Sequence, residues 1–164
     1  MTNKLLKAGS TIPSKKLFKL TVGGGLVFWA TTIATSLLPI AAEYRAAYSN
    51  WSIQTVWVDS LPMGMIIGYC VSYFLLRYFD KIPSKNPILK SGIISFIALI
   101  IAVILIDVPQ SFFGMSNSFD ALYYFLIGVM FNVARFLLLG IVIGYLYNER
   151  AHSLFKGERN EFNQ

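Results

Sequence analysis

Arg135 is out of place in its surroundings: it stands inside a long apolar stretch, 14 residues after Ala121 and 12 before Tyr147. A guanidinium keeps its charge there, and inserting it into hydrocarbon costs about 2.5 to 3.5 kcal/mol. Its side chain reaches only about half of the roughly 12 to 15 Å to the nearer headgroup layer, so snorkelling does not relieve that cost. The groups able to accept its N–H donors are Asn132, three residues earlier on the same helical face, and the hydroxyls of Thr31, Thr32, Thr35, Ser36, Ser72, Tyr69 and Tyr73 on other helices. No Asp or Glu falls within an apolar stretch, which argues against a proton relay built on a membrane carboxylate. Three uses of Arg135 stay open. It can tie the helices together through hydroxyls and freed carbonyls, coordinate an anion, polar solute or lipid phosphate in a cavity, or take its counter-charge from another chain.

Other chemistry is sparse. The single cysteine, Cys70, excludes an internal disulfide, has no basic neighbour to activate it, and reads as an inert packing residue. The single histidine, His152, sits among charged tail residues, so no histidine metal site or catalytic dyad is available. The Gly23 to Gly25 run lacks the lysine and strand-helix context of a phosphate loop. The expectation is a protein that is not an enzyme and holds no metal or cofactor.

The elements that must position Arg135 follow from composition. Of the 164 residues 55% are hydrophobic and only 13% charged, with a mean hydropathy of +0.59; soluble domains carry about 25% charged residues. The apolar residues gather into four stretches, about 20–42, 61–79, 88–106 and 121–147, each near the roughly 20 residues a membrane helix needs. The expected fold is an all-α integral membrane protein, a four-transmembrane-helix bundle over 20–147. A basic tail, 1–19, precedes it and a polar tail, 148–164, follows. The first stretch is too long for the apolar core of a cleaved secretory signal, so it reads as a retained helix.

Orientation follows from the basic residues. The two tails and the loop after the second stretch hold twelve lysines and arginines, and the opposite loops hold one, Arg45. Positive charge stays in the cytoplasm. Both termini are therefore expected to be cytoplasmic, in a cell or plasma membrane, with Glu43, Asp59, Asp107 and Asp120 on the outer side. Lys81, Lys85 and Lys90 then face anionic lipid headgroups, and the N-terminal lysines read as a topology signal rather than a nucleic-acid site. Trp51, Trp57, Phe112, Phe113 and Phe119 are expected to anchor the outer interface. The segment from Glu43 to Ser60 fits either a short strand or a helix, and Asn50-Trp51-Ser52 matches a glycosylation acceptor pattern.

Small residues four apart mark where membrane helices approach. Gly64 and Gly68 form such a stripe on the second helix, and Gly128, Gly140 and Gly144 on the fourth. Helices one, two and four are thus expected to form the core, with the third most exposed to lipid. The sequences Gly64 to Tyr69 and Gly140 to Tyr145 echo each other, but at opposite depths, against a simple repeat. The leading functional expectation is assembly, as a homo-oligomer or as the accessory subunit of a larger membrane complex. The alternative is a small transporter or channel for an anion or polar solute at Arg135 and Asn132.

Overall fold

A computed structural model describes residues 13–48, 52–109 and 118–161, and all the elements among them are helical. They are α1 (Ser14–Ser36), α2 (Pro39–Tyr48), α3 (Ile53–Tyr78), a 3-10 turn (Phe79–Lys81), α4 (Pro87–Ala102), a π turn continuing it (Val103–Asp107), and α5 (Ser118–Glu161). Four of the helical stretches are long and apolar enough to cross a membrane: Ser14–Ser36, Ile53–Lys81, Pro87–Asp107 and Phe119–Asn148. Asn50, Trp51, Phe112 and Phe113 lie outside the described residues, as does the side chain of His152.

Proline explains the main departure from the expected boundaries. The first helix ends at Ser36, and Pro39 opens α2 as its first residue. Proline cannot donate an N–H to continue a helix but fits its first turn. The segment that fits either strand or helix is therefore helical on both sides of residues 49–51. Ser52 caps α3, its hydroxyl accepting from the Thr55 N–H at 3.2 Å, and Asn86 caps α4, accepting from the Ile88 N–H at 2.9 Å.

The long helices run antiparallel to their neighbours. The most extensive packing joins α1 to α3, then α4 to α5, then α1 to α5, while α3 and α5 barely meet. The order around the bundle is α3, α1, α5, α4, and a lighter α3–α4 contact closes it. The glycine run of α1 serves both its neighbours. A Cβ on Gly24 would stand 2.7 Å from Ile143, and one on Gly25 2.6 Å from Met65. Across the α3 seam, a Cβ on Gly68 would lie 2.9 Å from the Thr21 carbonyl. Leu20, Val71, Leu75, Leu139 and Ile143, all nearly inaccessible, fill the space around these crossings.

Two expectations about faces need correction. The Gly140 and Gly144 stripe packs on α4 rather than on the first two helices: a Cβ on Gly144 would come within 2.5 Å of the Ile88 Cα, and one on Gly140 within 2.8 Å of the Ser95 hydroxyl. The spanning stretch ending at Asp107 is the least buried of the four, yet its Ser91, Ser95 and Leu99 form a buried stripe. The small serines are what let α5 approach, and an apolar reading of this helix passes over them. Gly128 meets Tyr44 of α2 instead of another spanning helix. Cys70 is exposed on the outside of α3 and does not pack in the core.

Candidate functional site

At the end of the bundle away from the N-terminus the helices part around a cavity of about 360 Å³. Its walls come from α1 (Phe28, Thr32), α2 (Tyr44), α3 (Val56 to Ile67), the end of α4 (Ala102 to Asp107) and α5 (Gly128 to Phe136). Arg135 and Asn132 both line it, one helical turn apart.

The group facing them is Asp107. The Asn132 side-chain amide donates to its Oδ2 at 2.8 Å, and the Arg135 Nη1 donates in turn to the Asn132 Oδ1 at 3.2 Å. Guanidinium, amide and carboxylate thus form a relay, with Asn132 as a two-sided spacer between opposite charges. Arg135 faces the Asp107 carboxylate across Asn132, and its guanidinium carbon stands 5.9 Å from the centre of the Phe28 ring. Its Nε–H is buried without a hydrogen-bond partner.

The expectation that no spanning stretch supplies a carboxylate therefore fails at Asp107, which is only 4% exposed. The reason is local geometry. Counting about 100° per residue, an unbroken α-helix would place Asp107 about 80° around the axis from Leu99. The π turn Val103–Asp107 has more residues per turn, so each advances less. Over four steps this takes back most of that angle and brings Asp107 into line with Leu99 on the inward face. A stretch bounded by its apolar residues ends at Ile106 and so leaves Asp107 outside.

The hydroxyls expected to serve Arg135 do not. Thr31 and Thr35 donate to the carbonyls of Val27 and Thr31, within their own helix. Thr32 lines the cavity but donates to Phe28. Ser72 is buried elsewhere without a hydrogen bond. Tyr69 and Tyr73 stack on each other, centroids 6.1 Å apart, with Tyr69 exposed on the outer surface of α3. Threonine in an apolar helix satisfies itself against the preceding turn, which removes it as an outside acceptor.

Above the cavity, Ser36 gathers a second polar group. Its hydroxyl accepts from the Trp57 indole at 2.8 Å, its carbonyl accepts from Arg45 at 3.0 Å, and Trp29 donates to the Trp57 carbonyl at 2.8 Å. Trp57 is therefore bonded inward, whereas an interfacial anchor would point its indole to the headgroups. Phe119 is 84% exposed at the start of α5, as an anchor requires. Asp59 stands exposed at the cavity wall.

At the opposite end Lys90 is buried rather than turned to a lipid surface. Its ammonium donates to the Phe79 carbonyl and lies 3.8 Å from the centre of that ring. Phe79 stacks on Tyr147 with centroids 4.5 Å apart, and Lys16 covers the other face of Tyr147 at 3.5 Å. Two rings thus lie between two ammonium groups at this end.

Among the described residues no cluster of His, Cys, Asp and Glu could hold a metal. Compared with known proteins, the chain matches no family model, no curated protein and no solved structure.

Proposed function

We propose that this chain is a multi-pass membrane protein with both termini in the cytoplasm, and that it binds and moves an anion or polar solute through the cavity around Arg135 and Asn132. The observation that supports this is a half-buried guanidinium on the wall of a cavity of ligand size, on the side assigned to the exterior. Intramembrane charges facing a cavity belong to solute pathways more often than to packing, because packing alone is better served by apolar side chains. The closed far end, with its Lys16, Tyr147, Phe79 and Lys90 stack, fits a solute route open on one side at a time.

Assembly with itself or with a larger membrane protein takes second place. Its site-specific argument is a counter-charge borrowed from another chain, and Asp107 offers one within this chain.

The test uses the full chain in liposomes. Osmotic swelling is followed with external chloride, phosphate, short carboxylates and amino acids, alongside Arg135→Met. Swelling with at least one solute, lost in the variant while the protein still inserts and elutes normally, is expected. Silence across the whole panel sinks the transport reading. Reporter fusions after Lys85 and Gln164 should read cytoplasmic, and an external reading at either site overturns the orientation.

A further inference from the structure

We infer that the solute is a small zwitterion, an ammonium and a carboxylate carried on one compact apolar body. The inference rests on the transport reading and narrows it by counting the charges on the cavity wall. One guanidinium, Arg135, shares the wall with two carboxylates, Asp107 and Asp59. A plain anion entering would gain the Arg135 charge but would face two like charges. A plain cation would gain the carboxylates but would stand beside the Arg135 charge. A zwitterion answers both, its carboxylate toward the Arg135 guanidinium and its ammonium toward the carboxylates of the wall, and it adds no net charge to a site inside hydrocarbon.

Asn132 makes the arrangement workable before the ligand arrives. By standing between Arg135 and Asp107 it keeps the two from collapsing into a direct ion pair, so each retains capacity for a partner. Phe28, Ile67, Ile106 and Phe131 give the wall an apolar portion around the polar relay. A volume of about 360 Å³ suits a molecule of amino-acid size with a hydrophobic group.

Two matched sets of probes test this on the full chain in liposomes. One is L-leucine with 4-methylpentanoate, which lacks the ammonium, and 3-methylbutylamine, which lacks the carboxylate. The other is L-phenylalanine with 3-phenylpropanoate and phenethylamine. Melting temperature and swelling are read for each. At least one zwitterion should stabilise the protein and drive swelling, with both of its fragments at least tenfold weaker. Arg135→Met should abolish the response. Asp107→Asn should narrow the preference for zwitterion over acid at least tenfold, and Asp59→Asn, at an exposed position, should narrow it in the same direction. If the acid fragments work as well as the parents, the site takes plain anions: the zwitterion inference falls and transport stands. If both zwitterions are inert while chloride or phosphate passes, the outcome is the same. If nothing on either panel acts, both readings fall together.

Discussion

The two ends of this bundle are built from the same kinds of helix but solve opposite problems. Around Gly24, Gly68 and Gly144 the backbones touch, and around Arg135 they stand apart by the width of a small molecule. Where glycines line a seam, nothing lies between the helices and packing alone holds them, as expected where lipid supplies no hydrophobic drive. Where Phe28, Phe131 and Phe136 line it, large rings hold the helices away from one another and leave room for charge. Close contact at one end thus coexists with a cavity at the other, and residue size contributes to the difference.

The comparison breaks most severely at Gly144. Its virtual Cβ meets backbone, which cannot swing aside, so Gly144→Leu should cost about 3 kcal/mol or more and Gly144→Ala a smaller part of that. Thermal unfolding in detergent measures both. Gly92, on the facing helix, has nothing within 4 Å of its virtual Cβ, so Gly92→Ala should leave stability nearly unchanged. Equal losses at the two sites would show that the seam is not where it is drawn.

At the open end the corresponding test is Asp107→Leu. Removing the carboxylate strands the Arg135 charge and should destabilise by about 3 kcal/mol, as breaking one half of a buried pair does. Adding Arg135→Met to that variant should restore most of the loss, while abolishing solute response. A double-mutant cycle without coupling would mean that the Asn132 relay carries no energy between the charges.

A smaller effect is expected at the closed end. Lys90→Met keeps the apolar stem but deletes a hydrogen bond and a cation–π contact, together worth about 1 to 2 kcal/mol. If the stack closes the inner side, the same variant should also raise solute leak in the swelling assay. Smallest is Trp57→Phe, which removes the bond to Ser36 and should cost about 1 kcal/mol without altering solute preference.

Some of this was legible in advance and some was not. The four apolar stretches were, because a bilayer demands runs of about 20 apolar residues whatever their neighbours do. The glycine stripes were legible as sites of close approach, since that depends only on missing side chains. Which partner each stripe meets was not: Gly140 faces Ser95 and Gly92 of α4 and Gly144 the backbone of Pro87 and Ile88, a match between two helices that neither displays alone.

Sequence by itself determined the apolar lengths, the charge asymmetry between the loops, and the presence of Arg135 and Asn132 one turn apart, because these depend on local spacing along a regular helix. The tertiary structure decided where Asp107 points. A π turn winds it through an angle that α-helical counting does not contain, and only the fold brings its carboxylate to Asn132, 25 positions away in the chain. The same holds for Lys90, charged and near a loop in sequence, which Phe79 and Tyr147 enclose once the helices are paired. Burial of a charge is a property of what packs around it, and that exists only after the chain has folded.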